Sequence, residues 1–246
     1  DPIRDGSNWY SYCGGNPVIF EDMMGLSINY SGEISEGASK YISVSDNGIE
    51  YKDGYKKHNS AVILNVAPQD QYSVPVKEGE ENNYCGPTVA SMLVALLEGD
   101  SVNRILEFSY KFQEANKTKT NNEPQCWPQF KSTGYNNFDN LIAVQVDNQF
   151  SANELREQID NGLLVPILYS NYKSVPEGED HGHWVAVVGY INIGINGKTE
   201  SLFIINDPSG GVTKCVTYAE LCGSYNNENC KDMVYTDTVS LVKQGV

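Results

Sequence analysis

The motif Cys85-Gly86-Pro87 constrains the fold most, because it indicates a cysteine at the start of a helix. Pro87 lacks a backbone N–H and has its φ fixed near the helical value, so it suits the first turn of a helix. Gly99 is a natural helix end. Apolar residues recur between these points at helical spacing, at Val89, Met92, Leu93, Leu96 and Leu97. The sequence therefore predicts a mostly buried helix over about 86–98, with Cys85 at its N-terminus.

Cys85 is the candidate nucleophile of the chain. The dipole and the unpaired N–H groups at a helix N-terminus favour the thiolate over the thiol. The thiolate is the nucleophilic form of cysteine. The local motif alone is also compatible with a structural half-cystine that happens to precede a helix.

The other cysteines indicate no metal or redox motif. The chain has six in all, with no Cys-x-x-Cys pair, so a zinc ribbon or a thioredoxin-like site is not expected. Cys222 and Cys230 flank a polar loop and are the first pair we expect to form a disulfide in an oxidising compartment. The six are Cys13, Cys85, Cys126, Cys215, Cys222 and Cys230.

The net charge excludes one class of partner. With 32 acidic and 17 basic residues the chain carries a formal charge of −15, so the dense negative charge of nucleic acid would repel it. No run of eighteen apolar residues is present, so we expect no membrane span. The chain opens with Asp1-Pro2, which we interpret as a mature or trimmed form. We expect a secreted or cell-surface location.

The order of predicted elements indicates an α+β fold, because strands and helices are segregated along the chain. Residues 1–60 are expected to form a β-rich extension, either accessory structure or a pro-segment, and residues 61–246 the main domain. Helices are predicted over 86–98, 102–115 and 151–161, the last starting with a Ser151–Glu154 capping box. Strands are predicted over 41–45, 49–51, 61–66, 163–169, 183–191, 201–206, 213–217 and 238–242.

His183 and Asp207 are the predicted partners of the cysteine. His183 heads an apolar strand, and Asp207 ends the strand that returns from it. In an antiparallel hairpin, the numbers of two paired residues add up to a constant. For a loop centred on Ile195 this sum is 2 × 195 = 390. For a turn formed by Asn196-Gly197 it is 196 + 197 = 393. Either register brings Asp207 near the start of the His183 strand. A carboxylate there can hold an imidazole in one tautomer and orientation.

Three plainer interpretations of these residues stay open. His181-Gly182-His183 is compatible with half of a zinc site, although no second ligand cluster is evident and we expect no metal. His183 is also compatible with a buried structural histidine. Asp207-Pro208 is compatible with an ordinary strand terminator, since both residue types are common in turns.

Taken together, the motifs resemble those of a known family. Cys-Gly-Pro at a helix start, Gly-His-Trp-Val-Ala-Val-Val-Gly-Tyr at 182–190 and Ile-Asn-Asp-Pro at 205–208 are similar to the motifs of papain-like cysteine peptidases. The bacterial group related to the bacteriocin-processing peptidases of double-glycine exporters is the most similar. The resemblance covers about residues 61–246 and implies a papain-like fold. It also implies that Cys85 is the nucleophile, His183 the base and Asp207 the residue that orients it.

The oxyanion hole departs from the pattern of that family. Such enzymes usually place a glutamine about six residues before the cysteine, and here that position is Gly79. The family's strand of the type Leu-x-Val-Pro-x-x-x-Gln is approximated by residues 64–71, which assigns the role to Gln71. Gln71 stands 85 − 71 = 14 residues before the cysteine, so a longer loop is implied. Asn82 and Asn83 are the alternative donors.

The resulting expectation is a cysteine peptidase that hydrolyses peptide or protein substrates through a thioester acyl-enzyme. No cofactor is expected, and the protein is expected to be a monomer. The loop 171–180 is a candidate wall of the substrate cleft. Two alternatives stay open: acyl transfer or deamidation by the same three residues, and a catalytically silent peptide-binding module.

Overall fold

The computed structural model describes residues 18–19, 30–46, 48–76, 82–99, 103–116, 141–147, 151–169, 183–195, 197–221 and 235–243. The Cys222–Cys230 pair, the loop 171–180 and His181 lie outside these residues. The strands are β1 Val18–Ile19, β2 Glu33–Ile34, β3 Ile42–Ser45, β4 Gly48–Tyr51, β5 Lys56–Leu64, β6 Leu141–Asp147, β7 Val165–Tyr169, β8 His183–Ile195, β9 Lys198–Asp207, β10 Val212–Thr217 and β11 Tyr235–Lys243. The helices are α1 Cys85–Glu98, α2 Ile105–Asn116, α3 Ala152–Asp160 and α4 Tyr218–Leu221, with 3-10 turns at Ala38–Lys40 and Gln71–Ser73.

One sheet carries most of the strands, and the predicted α+β class is confirmed. Its order is β2-β10-β9-β8-β7-β11-β6, with β5 also paired to β8, and β1 to β5. All of these pairs are antiparallel except β2 with β10. The long β8 pairs with β7 near its start and with β5 near its end. The β3–β4 hairpin, which matches the strands predicted over 41–45 and 49–51, forms a separate small sheet.

The β8–β9 hairpin sets the relation between the candidate histidine and aspartate. Ile195 pairs with Lys198. The register of the Asn196-Gly197 turn, in which paired residue numbers add up to 393, is therefore confirmed. The register centred on Ile195 is wrong. Gly197 has a φ of 78°, as such a turn requires. A bulge between Val187 and Gly189 then lowers the sum to 392, as in the pair Ala186–Asn206. In that register Asp207 lies diagonally across from His183, not directly opposite it.

The α1 helix forms as predicted and starts one residue earlier, at Cys85. It ends at Glu98, and Gly99 caps it in the left-handed conformation with a φ of 66°. Most of its apolar residues are buried, Leu97 only partly, and it packs against β8 and α2. The capping box of α3 is present, because Ser151 Oγ accepts from the Glu154 N–H at 3.3 Å and the Glu154 carboxylate accepts from the Ser151 N–H at 2.7 Å.

The described part of residues 1–60 packs on the main sheet. β2 extends the sheet beside β10, and Glu220 of α4 accepts hydrogen bonds from Ser35 Oγ at 2.6 Å and the Gly37 N–H at 2.8 Å. Ala38 and Ile42 belong to the same apolar core as α1. The assignment of these residues to an accessory or pro-segment role stays a prediction. Among the described helices, none is long and apolar enough to cross a membrane.

Candidate active site

Three chain segments bring Cys85, His183 and Asp207 to one place. Cys85 opens α1, His183 opens β8 and Asp207 closes β9. All three side chains are buried, with exposed fractions of 3%, 7% and 1%. The helix packs against the strand that carries the histidine, and a hydrogen bond between Cys85 and His183 joins the N-terminus of α1 to the start of β8. The structure therefore brings together the three residues that separate motifs had indicated.

The contact between His183 and Asp207 is direct. His183 Nε2 lies 2.7 Å from Asp207 Oδ1, and the same oxygen accepts from the Ser209 N–H at 2.9 Å. With Nε2 engaged by a carboxylate, the proton on that nitrogen is fixed and the ring cannot rotate freely. This is the orienting contact expected from the sequence.

The other side of the imidazole ring contacts the cysteine. His183 and Cys85 share a side-chain hydrogen bond, and Nδ1 is the ring nitrogen left for it. Burial by itself lowers the pKa of His183, but hydrogen bonds to Asp207 and Cys85 and the negative charges of these groups outweigh it and raise the pKa to about 9. At neutral pH the imidazole is therefore favoured in its protonated form, next to the sulfur atom.

Lys214 is a further member of the site that sequence reasoning missed. Its Nζ lies 2.8 Å from Asp207 Oδ2, the oxygen not used by the histidine. Burial raises the pKa of Asp207, but the contacts with His183 and Lys214 outweigh it and hold this pKa well below its usual range. Lys214 pairs with Ile205 across the β9–β10 hairpin, so it shares a sheet face with Asp207. The register of that hairpin is the signal that would have identified it.

A tight turn fixes the position of Asp207. Asn206 donates from Nδ2 to the Val66 carbonyl at 3.0 Å and accepts from Thr213 Oγ1 at 2.8 Å. Gly210 and Gly211 have φ values of 85° and 62°, which L residues rarely adopt. These contacts tie the Asn-Asp-Pro motif to β10 and to the segment that follows β5.

Gln71 lies beside this turn although it is distant in sequence. Its N–H donates to the Pro208 carbonyl at 3.0 Å, and its side chain is 5% exposed. Nε2 donates to the Asn82 carbonyl at 3.4 Å, and Asn82 Nδ2 returns a bond to the Gln71 carbonyl at 3.0 Å. Gln71 thus links the segment before Cys85 to the turn after Asp207.

Asn82 and Asn83, the alternative oxyanion donors, are both partly buried. Besides its bond to Gln71, Asn82 accepts through Oδ1 from the Tyr84 N–H at 3.3 Å, so its amide braces the entry to α1. The Gln71 Oε1 atom is buried and has no hydrogen-bond partner in the described part of the chain. The oxyanion role of Gln71 stays a prediction.

No group of three or more histidine, cysteine or acidic side chains suited to a metal ion occurs among the described residues. The site instead has the parts of a nucleophilic centre: a sulfur at a helix start, an adjacent imidazole and a buried carboxylate. Such a set can form and break an acyl–sulfur bond.

One comparison with known proteins gives a match. The model of a family described as "Peptidase_C39 like family" matches residues 63–233, which is more than half of the 246-residue chain. The matched span contains Gln71, Cys85, His183, Asp207 and Lys214. No curated protein matches the chain.

Proposed function

The chain belongs to the peptidase C39-like family, and we propose that it is a cysteine peptidase that hydrolyses peptide bonds with Cys85, His183 and Asp207. The observation that carries this proposal is the continuous series of contacts from the Cys85 sulfur through the His183 ring to the Asp207 carboxylate. A nucleophile, a base and a group that orients the base form the general pattern of covalent acyl transfer.

The first half of the reaction forms the acyl-enzyme. The Cys85 thiolate attacks the carbonyl carbon of the substrate and pushes an electron pair onto its oxygen. When this intermediate collapses, the C–N bond breaks, and the proton on His183 Nδ1 passes to the leaving amine. A thioester on Cys85 and a neutral imidazole result.

The second half returns the enzyme to its starting state. His183 Nδ1 takes a proton from water, whose oxygen attacks the thioester carbon. The C–S bond then breaks, which releases the carboxylic acid product and restores the thiolate. Throughout, Asp207 keeps Nε2 protonated, and the Ser209 N–H and Lys214 hold Asp207 in place.

The oxyanion that forms in both halves needs hydrogen-bond donors. The Cys85 backbone N–H and the Gln71 side-chain amide are the donors we propose. Gln71 is tied to the segment that precedes Cys85, which supports this assignment. Its amide would turn from the Asn82 carbonyl toward the substrate oxygen. Loss of one such donor typically lowers turnover by about 10²–10³.

The test is digestion of a broad peptide pool in water enriched in oxygen-18, with mass spectrometry of the products. We expect new C-termini that carry the heavy oxygen with the wild-type chain and with Cys215→Ala, and none with Cys85→Ala. Cleavage that persists in Cys85→Ala would overturn the proposal. Products joined to an added amine, without heavy oxygen, would indicate acyl transfer.

A further inference from the structure

A cavity lies at the end of β9 opposite the candidate active site. Its volume is about 420 Å³, which is within the range of small-ligand pockets. Ser201 lines it and stands six residues before Asp207, which is about 20 Å at the rise of a strand. Further lining comes from the start of α3, the start of α4 and the 3-10 turn at Ala38–Lys40.

Arg156 of α3 gives this cavity its chemical character. Its Nη1 donates to Ser201 Oγ at 2.6 Å and to Asn192 Oδ1 at 3.4 Å, and its Nη2 donates to Asn153 Oδ1. Ser201 Oγ in turn donates to Asn192 Oδ1 at 2.6 Å, so the acceptors are themselves held in place. The guanidinium is thus fixed by three neutral oxygens.

These contacts leave several N–H groups of the guanidinium for a ligand. Ser201 Oγ and Asn192 Oδ1 lie 2.6 Å apart, so they share one Nη1–H, and Asn153 takes one Nη2–H. The Nε–H and one N–H on each Nη therefore have no acceptor within the described ranges. Adjacent N–H groups of a guanidinium can bind a carboxylate through both of its oxygens. No carboxylate among the described residues forms an ion pair with Arg156, although the chain has 32 acidic residues.

The other residues that line the cavity indicate the charge and the chemical nature of its ligand. Lys40 and Glu200 also face the cavity, and their charges offset each other. The guanidinium therefore suits a single negative charge, and a doubly charged phosphate would be repelled more by Glu200 and by the acidic chain. Tyr41, Tyr218 and Leu202 offer apolar and aromatic surface to the rest of such a ligand.

We infer that this cavity binds a peptide through a carboxylate, held by the Nε–H of Arg156 together with a remaining Nη N–H. Because the cavity is remote from Cys85, the inference concerns binding and does not depend on the proposed catalysis. A peptide end or an acidic side chain provides the required monoanion together with an organic remainder.

The test follows the Arg156 Nε–H signal by ¹⁵N NMR during titration of the full chain. The probes are N-acetylphenylalanine, its C-terminal amide and inorganic phosphate, and the signal is assigned by its loss in Arg156→Lys. We expect a saturable shift with the free acid, at millimolar concentration, and none with the amide. No shift with the acid would overturn the inference, and a saturable shift with phosphate alone would overturn the carboxylate assignment.

Matched variants separate a bound carboxylate from a general charge effect. Lys198→Gln removes one positive charge from the same hairpin outside the cavity lining and should leave the dissociation constant unchanged. Glu200→Gln should tighten binding by about twofold to fivefold, since a repelling surface charge is removed. Arg156→Lys keeps the positive charge but removes the planar guanidinium that can donate two hydrogen bonds to one carboxylate. It should raise the dissociation constant by at least about tenfold, measured from the shifts of neighbouring backbone amide signals. Equal effects of Arg156→Lys and Lys198→Gln would contradict the inference.

Discussion

Cys85 and Cys215 are equally buried, but their surroundings are opposite. Their exposed fractions are 3% and 0%, and neither forms a disulfide within the described part of the chain. Cys85 lies at a helix start and against His183. Cys215 lies in the middle of β10, where burial and then the charge of Glu220 raise its pKa to about 12.

The surroundings of Cys215 explain why burial alone yields an unreactive thiol. Its neighbours Tyr30 and Tyr51 carry hydroxyl groups whose own pKa values are raised, chiefly by burial and then by the negative charge of a Cys215 thiolate. Among the described residues, no cation lowers the pKa of Cys215. At Cys85 the imidazolium of His183 provides that cation. The comparison shows that a neighbouring cation, rather than exposure to solvent, distinguishes the candidate nucleophile from the core cysteine.

The largest expected effect is on turnover. Cys85→Ala should lower peptide hydrolysis by about 10⁴-fold or more, because the acyl-enzyme cannot form. Cys215→Ala should leave kcat/KM within about twofold and lower stability by about 1 kcal/mol, since it removes one buried sulfur. Equal losses of activity in the two variants, with both folded by circular dichroism, would break the comparison.

A second prediction concerns thiol reactivity. In the wild-type chain at pH 7, iodoacetamide should modify Cys85 at least about 10²-fold faster than Cys215, because only the thiolate reacts. His183→Gln should remove most of this difference and lower turnover by about 10³-fold. Peptide mapping by mass spectrometry gives the rate at each cysteine separately. If Cys85 keeps its rate in His183→Gln, the imidazole is not what activates it.

The sequence predicted the parts of the site that local patterns encode. The start of α1 at Cys85 follows from Gly-Pro and helical spacing, and the β8–β9 hairpin follows from Asn196-Gly197. Asp207 was predicted from the hairpin, but the exact register and the contact with Lys214 were not. The bulge at Val187 and Gly189 moves Asp207 by one position, and Lys214 reaches it only through the β9–β10 pairing.

Contacts between segments that are far apart in the chain could not be predicted from the sequence either. Gln71 was proposed from a strand pattern, but its hydrogen bond to the Pro208 carbonyl joins residues 137 positions apart (208 − 71). β6 was not predicted, because its place depends on pairing with β11 near the end of the chain. Parallel pairing of β2 with β10 was not predicted either, since two residues carry no periodicity.

A third prediction tests Gln71 as the oxyanion donor. Such a donor is proposed beside Cys85, and none is proposed beside Cys215. Gln71→Ala should lower kcat by about 10²–10³ with little change in KM, because the amide acts only in the transition state. Cys85 should still react with iodoacetamide at its wild-type rate. Gln69→Ala, two residues earlier, is the matched control and should stay within about threefold. A large loss of Cys85 alkylation in Gln71→Ala would indicate a structural role instead.

A fourth prediction concerns the cation behind Asp207. Lys214→Met should lower kcat by about tenfold, because one oxygen of the buried carboxylate loses its partner. It should also move the alkaline limb of the pH–rate profile upward, since less positive charge near Asp207 favours the imidazolium of His183. Lys214→Arg should restore both values. An unchanged pH profile in Lys214→Met would assign Lys214 to stability alone.

The smallest expected effect is on the pH dependence of stability, which distinguishes the two cysteine sites without any substrate. The folded pKa of His183, about 9, is above its ordinary value of 6.5, so its contribution to stability is complete below pH 6.5 and is lost as pH rises through 9. Over pH 6.5–9 the thermal midpoint should fall by about 3–6 °C in the wild-type chain and by much less in His183→Gln. The pKa of Cys215 is raised from 9.0 to about 12, so this thiol reduces stability by only about 0.4 kcal/mol at pH 9, and Cys215→Ala should stay close to the wild-type slope. A slope that is the same in His183→Gln and in the wild type would show that the Cys85 site is not held together by a charged imidazole.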